Sequence, residues 1–390
     1  MTGISTNLIH GGDKYARVHD VAPPINILTT FSYPLDSSKL VKASDAGDFN
    51  VDEIVYSRLS HPNGLMAEAA ISTLTGGNVV LYASGLAAFL ALITHVNPKR
   101  LAIGKAYHGV HGISKIWERN HGLEILDLYD SASIDKLQPG DLVHLETPLN
   151  PTGEHYDIQY YTDLAHSKGA VILIDSTFSP PPLQDPFVFG VDFVMHSATK
   201  YFGGHSDLLA GMLITKDTNV YQKLVEDRVY LGSNIANLES SLLLRSLKTF
   251  ELRVLKQSEN ASKIVAFLDS NRDKFKVLIK IYHGSLQKEP FVTKQAINGY
   301  HSPVFSIDLK DEETAKLFPS KLKYFHHATS LGGVESLIEW RALSDEHAAP
   351  TLLRVSVGVE NVDDLIADIE QALLAAEVET INGKLNLVGV

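Results

Sequence analysis

Short apolar runs alternate with segments of helical periodicity between residues 77 and 215. The runs are rich in β-branched residues and mostly continuous in apolarity, which is typical of strands covered on both faces. They are residues 78–83, 101–104, 123–128, 141–146, 170–175, 192–196 and 211–215. This alternation predicts an α/β fold in which helices flank a mostly parallel sheet of seven strands.

The pattern changes near residue 240. A long helical stretch at 242–268 precedes fewer, alternating runs at 277–283, 304–309 and 352–359. Asn361, a good helix N-cap, then begins a final helix. The first part of the chain carries turn formers without a strong period and is predicted to be an arm laid over another surface. The predicted parts are the arm at 1–55, an α/β domain at 56–240 and a smaller C-terminal α+β domain at 241–390.

Composition and charge narrow the choice of function. The chain has 390 residues, a net charge of −12 and no cysteine. The acidic balance disfavours nucleic acid and anionic lipid as partners, and the missing cysteines exclude disulfides, a thiolate nucleophile and cysteine-bound metals. The most apolar stretch, 79–96, is interrupted by Ser84 and Gly85 and predicts a buried strand and helix rather than a membrane span. With no leader pattern at the N-terminus, a cytoplasmic protein is expected.

Several common catalytic motifs are absent from the sequence. There is no G-x-G-x-x-G after a strand, no G-x-x-x-x-G-K-[ST], no H-E-x-x-H and no G-x-S-x-G. The chain has 17 histidines, but carboxylate or thiolate partners do not cluster near them, so no metal site is predicted.

Chemically informative residues follow the ends of the predicted strands, where open α/β sheets bind ligands. Asp175 ends one strand, and Ser197, Thr199 and Lys200 follow the end of the next. Pyridoxal phosphate (PLP) needs a lysine amine for a Schiff base, a carboxylate for its ring nitrogen and hydroxyls for its phosphate. Residues 84–86 open a helix whose N–H groups suit a phosphate. Asp175 alone is consistent with a turn cap, and Lys200 alone is consistent with a surface lysine. All of these residues together, each at the end of a predicted strand, predict a PLP site and make 56–240 the PLP-binding domain.

Residues 197–207 read S-A-T-K-Y-F-G-G-H-S-D. Through this stretch the sequence resembles the Cys/Met-metabolism (trans-sulfuration) family of fold-type I PLP enzymes, which includes cystathionine γ-lyases, cystathionine β-lyases and cystathionine γ-synthases. The resemblance runs through nearly the whole chain. Other matching segments are 9–12, 23–25, 56–58, 84–85, 146–148, 150–151, 330–333, 335–337 and 354–358.

The resemblance implies catalytic roles for Lys200, Tyr107 and Asp175. Lys200 would bind PLP as a Schiff base and later carry protons, and Asp175 would pair with the ring nitrogen. Tyr107 would stack on the ring, and Thr177 would lie beside it.

The resemblance also implies which residues hold the PLP phosphate. Within one subunit they are Gly85, Leu86, Ser197 and Thr199. Tyr56 and Arg58 would reach the same phosphate from a neighbouring subunit. A homodimer or homotetramer with shared active sites is therefore expected.

The substrate carboxylate would be bound by Asn150, Ser330 and Arg354, the last through two parallel hydrogen bonds. Glu339 matches a position that is associated with γ-cleavage in the family, where it could hold the distal ammonium of cystathionine. The neighbouring Arg341 departs from the family pattern. An ion pair between Glu339 and Arg341 on a surface loop therefore stays an alternative.

The implied activity is that of a PLP-dependent carbon–sulfur lyase acting on L-cystathionine or a related sulfur amino acid, with γ-elimination favoured over β-elimination. One alternative is γ-replacement on an activated homoserine ester, as in a cystathionine γ-synthase or a sulfhydrylase. A second alternative is a non-catalytic, PLP-binding interaction protein that kept the scaffold.

Overall fold

The first of two sheets has seven strands. The structure is a computed structural model that describes residues 3–45, 52 and 54–387. The strands are β1 (Asn78–Tyr82), β2 (Arg100–Ile103), β3 (Glu124–Asp127), β4 (Leu142–Glu146), β5 (Val171–Asp175), β6 (Phe193–His196) and β7 (Gly211–Thr215). Their order is β1-β7-β6-β5-β4-β2-β3, with β7 antiparallel to both neighbours and the other pairs parallel. The predicted α/β fold with a mostly parallel sheet is confirmed.

Both faces of this sheet are covered, as the continuous apolar runs predict. Successive side chains of a strand point to opposite faces, and in β1 Val79 and Leu81 join one hydrophobic cluster while Val80 and Tyr82 join another. The helices of this half are α1 (Ile4–His10), α2 (Pro62–Thr75), α3 (Gly85–Val96), α4 (His108–His121), α5 (Ser131–Ile134), α6 (Ile158–Ser167) and α7 (Thr218–Leu231). Buried residues of α2 and α6 lie in the first cluster and those of α3, α4 and α7 in the second.

A second, smaller sheet follows. Its strands are β8 (Leu278–Tyr282), β9 (Val304–Leu309), β10 (His326–His327), β11 (Leu337–Trp340) and β12 (Leu352–Ser356), in the order β10-β11-β12-β9-β8. The three strands expected from the sequence are present as β8, β9 and β12. The sequence did not predict β10 and β11, because β10 has two exposed residues and β11 is a four-residue strand that buries the charged Glu339.

The predicted helical stretch at 242–268 is two helices. They are α8 (Asn237–Leu247) and α9 (Phe250–Ser270), followed by α10 (Pro290–Gln295), α11 (Glu312–Leu317) and α12 (Val362–Leu387). The break falls at Thr249, whose backbone angles are not helical. Arg253 stabilises the break, because its guanidinium donates to the carbonyl oxygens of Ser246 and Tyr201, each at 2.9 Å. Among the described residues, no helix has the length and apolarity that a membrane crossing requires.

The predicted arm lies partly outside the described residues, which omit positions 46–51 and 53 as well as 1–2. Its beginning is anchored on the same chain: Leu8 is buried, and the Ser5 N–H donates to Glu251 at 2.9 Å. Further along, apolar side chains such as Val21 and Leu35 are fully exposed. The three-part division of the chain stays a prediction.

Four buried histidines make the stability of this fold sensitive to acid. Burial lowers the pKa of His144, His155 and His196 to about 3 and that of His283 to about 4. In the unfolded chain a histidine has a pKa near 6.5. Below that pH the unfolded state therefore binds protons that the buried histidines of the folded state do not bind. The full stability of the fold is present above about pH 6.5 and is lost as the pH falls toward the folded-state pKa values of about 3 to 4. Each of these histidines lowers the free energy of unfolding by roughly 2 kcal/mol between pH 7 and pH 5.

We expect the urea midpoint to fall markedly between pH 7 and pH 5. His144, which packs edge-on against Phe89 at 5.5 Å between ring centroids, provides the test. The variant His144→Leu should lose less stability over this interval than the wild type, because it has one buried base fewer. The control His347→Gln alters a side chain that is 88 % exposed and should show the wild-type loss. An equal loss in His144→Leu would contradict the assignment.

Candidate active site

A cavity of about 300 Å³ lies at the carboxyl ends of β4, β5 and β6. Its size is within the range of small-molecule and cofactor sites. All but three of the residues predicted for the site line it. They are Gly85, Leu86, Tyr107, Asn150, Asp175, Thr177, Ser197, Thr199, Lys200, Ser330 and Arg354. The exceptions are Tyr56, Arg58 and Glu339.

Asp175 is a buried carboxylate at the end of β5. One of its oxygens accepts hydrogen bonds from the Thr177 N–H at 3.0 Å and the Thr177 hydroxyl at 2.6 Å. The Thr177 hydroxyl in turn accepts from the Ser197 N–H at 2.8 Å, which ties the end of β5 to the segment after β6. Burial raises the pKa of Asp175 above its usual value, so a cation placed beside it would be strongly stabilised.

Lys200 has the environment of a reactive amine. Its Nζ donates to the Ser330 hydroxyl at 2.7 Å. Burial and then the nearby charge of Arg354 lower the pKa of Lys200 to about 8, so an appreciable fraction of the amine is neutral near physiological pH. Ser330 has a φ of 78°, a left-handed conformation that is uncommon outside glycine and that clusters at functional sites.

The opposite wall of the cavity is the start of α3. Ser84 caps the helix by accepting a hydrogen bond from the Ala87 N–H at 3.1 Å. The first N–H groups of a helix have no intrahelical acceptor, which leaves those of Gly85 and Leu86 suited to an anion. A Cβ on Gly85 would lie 3.3 Å from the Cβ of Ser197, so glycine keeps the space between the two segments open.

Arg354, on β12, reaches into the cavity from the second sheet. It donates to the Asn150 side-chain oxygen at 3.1 Å and to the Ser330 carbonyl at 2.9 Å. These contacts bring the three residues predicted to bind the substrate carboxylate together in one cluster. The arrangement also links Arg354 to Lys200, because Ser330 contacts both side chains.

Glu339 lies behind the cavity wall rather than in it. It is directly opposite Arg354 in the β11–β12 pair, and its Oε2 accepts from Arg354 at 2.5 Å and from Arg341 at 2.8 Å. Its Oε1 accepts from Ser344 at 2.6 Å. Burial opposes ionisation, but Arg354, Ser344 and Arg341 hold the pKa of Glu339 below its usual value. The ion pair with Arg341 considered from the sequence is present, in a buried cluster instead of a surface loop. Direct contact with substrate stays a prediction.

Among the further residues that line the cavity, three are titratable and were not singled out for the site from the sequence: His108, Glu146 and Arg341. Glu146 ends β4 beside Asp175 and accepts from the N–H groups of Tyr107 at 2.7 Å and Asn150 at 2.8 Å. Burial, and then the charge of Asp175, raise the pKa of Glu146. Glu146 ends the predicted strand at 141–146, and Asp175 ends the next one. This position at a strand end was the feature of the sequence that could have indicated Glu146 as a site residue. His108 stacks at a tilt on Tyr107, with 4.3 Å between ring centroids.

Tyr56 and Arg58 lie away from this cavity. The Arg58 guanidinium sits over the Tyr56 ring, 5.5 Å from its centroid, and donates to the Val229 carbonyl at 3.4 Å. Tyr56 is 41 % exposed. Their expected contribution to a phosphate site concerns a neighbouring subunit and stays a prediction.

The residues of the cavity fit PLP. The buried carboxylate of Asp175 suits a cationic ring nitrogen, and the Lys200 amine, with its lowered pKa, lines the same cavity. The start of α3 at Gly85 suits the phosphate. Among the described residues, no group of three or more histidine or acidic side chains could hold a metal ion.

This fold and this cavity define a class of α/β enzymes that bind PLP at the carboxyl edge of a mostly parallel sheet. Comparison with known families specifies the class. A model of the Cys/Met metabolism PLP-dependent enzymes matches residues 5–374, and the chain belongs to that family. The family resemblance, the cofactor and the assignment as a PLP-dependent enzyme are thereby confirmed.

Individual relatives match over nearly their full length. The chain is 34 % identical to a cystathionine γ-lyase of Dictyostelium discoideum, over 95 % of this chain and 97 % of the relative. It is 32 % identical to a cystathionine β-lyase of Lactococcus lactis, over 96 % and 99 %. A crystal structure of cystathionine γ-synthase from Xanthomonas oryzae, in complex with aminoacrylate and cysteine, superimposes with a TM-score of 0.85 at 28 % identity, covering 97 % and 99 %.

We expect Lys200 to be the residue that binds PLP covalently. Borohydride reduction of the yellow holoenzyme should abolish the visible absorption and leave the cofactor attached to a peptide that contains Lys200, as read by mass spectrometry. Lys200→Ala should bind PLP without such attachment and lose at least about a thousandfold in activity. The control Lys248→Ala alters a lysine outside the cavity lining and should be labelled like the wild type. Label on another lysine would contradict the assignment.

Proposed function

We propose that the protein is a PLP-dependent carbon–sulfur lyase that acts on L-cystathionine or a related sulfur amino acid, with γ-elimination favoured over β-elimination. The observation that supports the proposal is that Lys200 and Arg354 both contact Ser330, an arrangement that suits a base acting beside a carboxylate-binding group. Relatives named as cystathionine γ-lyase and cystathionine β-lyase support the substrate class.

Binding of the substrate would be governed by Arg354. Its planar guanidinium suits a carboxylate, and its contacts with Asn150 and Ser330 fix its orientation before the substrate arrives. The amino acid would be held by its α-carboxylate, so that its Cα lies near the Lys200 amine. Holding the reacting groups in this geometry contributes to rate by lowering the entropy cost of the reaction.

The Lys200 amine would move the protons. Its pKa of about 8 makes it a suitable base for the proton on Cα and, in γ-elimination, for a proton on Cβ. When bound, PLP supplies an electron sink for the carbanion formed at Cα. Asp175 would keep the ring nitrogen protonated, and the buried Glu146 beside it would hold the Tyr107 and Asn150 segments in place through their N–H groups.

A second candidate is γ-replacement, in which cysteine or sulfide displaces the ester group of an activated homoserine. The likeness to the Xanthomonas cystathionine γ-synthase structure supports it. Purified enzyme incubated with cystathionine alone should yield a 2-oxo acid and ammonia if it is a lyase. Formation of cystathionine from a homoserine ester and cysteine, at a higher kcat/KM than cystathionine cleavage, would favour the replacement reaction. Inactivity in both assays with bound PLP would contradict both candidate reactions.

Glu339 provides the test of γ against β cleavage. We expect the wild type to form mainly 2-oxobutanoate from cystathionine, with pyruvate as the minor product. Removal of Glu339 leaves Arg354 and Arg341 without their shared counter-ion, so Arg354 no longer binds the substrate carboxylate in one fixed position. Cystathionine can then bind in either direction. Glu339→Ala should therefore lower the ratio of 2-oxobutanoate to pyruvate at least about threefold.

The matched control is Glu346→Ala, which removes a carboxylate that is 88 % exposed on the segment after β11. It should leave the product ratio at its wild-type value. Pyruvate as the main wild-type product, or an unchanged ratio in Glu339→Ala, would favour the β-lyase interpretation.

We also propose a cytoplasmic homodimer or homotetramer with shared active sites. The absence of cysteine supports the compartment. Exposed apolar side chains of the arm support the assembly, because contiguous exposed apolar surface is typical of an interface; they include Val21, Ile25, Ile27, Leu28 and Leu35. The position of Arg58 outside its own chain's cavity fits a contribution to the neighbouring subunit's phosphate.

Mixing two inactive variants tests the shared site. Arg58→Ala lacks the group that acts across the interface, and Lys200→Ala lacks the amine within its own site. A mixed dimer would hold one intact site, so subunit exchange at equal amounts should restore about a quarter of the wild-type activity at limiting PLP. Absence of recovery after demonstrated exchange, or an active monomer, would contradict the shared arrangement.

A further inference from the structure

Arg341 is a buried arginine in the cavity wall, and the proposed mechanism does not use it. It begins a short turn, Arg341–Leu343, directly after β11, and its side chain is only 5 % exposed. It lines the cavity together with Arg354 and Lys200. Arginines are almost never fully buried unless they are paired, so its contacts decide what it can do.

The contacts within the chain leave the Arg341 guanidinium only partly satisfied. One terminal nitrogen donates to Glu339 at 2.8 Å, and the other lies 3.5 Å from the Asp345 carboxylate. Its buried Nε has no hydrogen-bond partner in the described part of the chain. Leaving a buried donor of a charged group without an acceptor is costly, so a ligand oxygen that reached it would be bound favourably.

The charges around Arg341 also leave room for an anion. Glu339 shares one oxygen between Arg341 and Arg354, and its other oxygen is taken by Ser344. A single carboxylate therefore faces two buried guanidinium groups. Asp345 lies on the outer side, with its side chain 29 % exposed to solvent, where its charge is better screened. Glu339 therefore neutralises only one of the two guanidinium groups.

We propose that Arg341 binds a negatively charged group at the far end of the substrate side chain, so that the site selects amino acids with an anionic distal group. A carboxylate, phosphate or sulfonate would meet the chemistry of the guanidinium. The inference rests on the proposed amino-acid site, in which Arg354 holds the α-carboxylate. Amino acids that end in an uncharged methyl thioether would gain nothing from Arg341.

A purely structural role makes a different prediction. If Arg341 only holds Glu339 in place for Arg354, its loss weakens the binding of every amino acid by a similar factor, whatever the distal group. If Arg341 binds the distal group, its loss weakens the binding of anionic ligands selectively. The ratio of two affinities therefore separates the roles, and an affinity for one ligand does not.

The experiment uses the holoenzyme and two non-sulfur amino acids of equal chain length. L-2-Aminoadipate ends in a carboxylate where L-norleucine ends in a methyl group. Calorimetry gives both dissociation constants. The wild type should bind aminoadipate at least about tenfold more tightly than norleucine, the difference expected from a charge-assisted hydrogen bond. Arg341→Gln should reduce this ratio at least about tenfold, and Arg341→Lys should retain part of it.

Asp345→Asn provides a variant with the opposite expectation. It removes a carboxylate that competes for Arg341 without touching the guanidinium, so the preference for aminoadipate should rise about two- to threefold. This variant and the wild type decide the question even if Arg341→Gln proves unstable in a thermal melt. A preference that is equal in the wild type and Arg341→Gln, or one that does not rise in Asp345→Asn, overturns the proposal.

The same titrations separate this inference from the proposed function. If norleucine and aminoadipate bind equally tightly, the proposed role of Arg341 is wrong, whereas the proposed amino-acid site still stands. Failure of both ligands to bind overturns the amino-acid site itself and, with it, the inference. The products formed from cystathionine do not enter either comparison, so a wrong reaction type would leave the binding result valid.

Discussion

The site depends on the placement of charged groups at one buried edge of the sheet. Parallel strands β4 and β5 end side by side at Glu146 and Asp175, which face each other in register. Burial raises the pKa of both carboxyl groups, and the charge of Asp175 raises that of Glu146 further. A cation beside Asp175 relieves this cost, and the protonated ring nitrogen of PLP is such a cation. The ends of these two adjacent strands therefore form a site that suits a cationic ring nitrogen.

Ser330 connects this edge to the second sheet. Its hydroxyl accepts from Lys200 and its carbonyl accepts from Arg354, so a residue in an uncommon left-handed conformation contacts both the predicted base and the predicted carboxylate-binding group. Gly332, which also has a positive φ, lies close behind: a Cβ there would come within 3.0 Å of the Lys200 backbone. The close approach of this loop to Lys200 needs a residue without a side chain. The loop therefore sets how the Lys200 amine and the Arg354 guanidinium are placed relative to each other.

The parts of the structure that the sequence predicted are those set by local pattern. All seven strands of the main sheet were readable as continuous apolar runs, and Asp175 and Lys200 were identifiable because ligand sites lie at strand ends. The parts it did not predict depend on contacts between distant segments. The break between α8 and α9 is held by Arg253 reaching Tyr201, and β11 is a strand because it pairs with β12. The burial of Arg341 in the cavity wall depends on the same pairing, so its position in the sequence carried no local signal.

The two sheets contribute different groups to the site. The main sheet supplies Asp175, Lys200 and the start of α3, which together fit the cofactor, whereas Arg354 and Arg341 come from the second sheet and its following turn. Glu339 and Arg354 are cross-strand partners, so the backbone of β11 and β12 fixes these two side chains relative to each other. The turn at Arg341 lies outside that pair. Arg341 touches the pair only through Glu339, and it contacts none of the groups of the main sheet that fit PLP. On the proposed role of Arg341, the charge of the turn after β11 therefore affects substrate preference while Asp175, Lys200 and the start of α3 stay as they are.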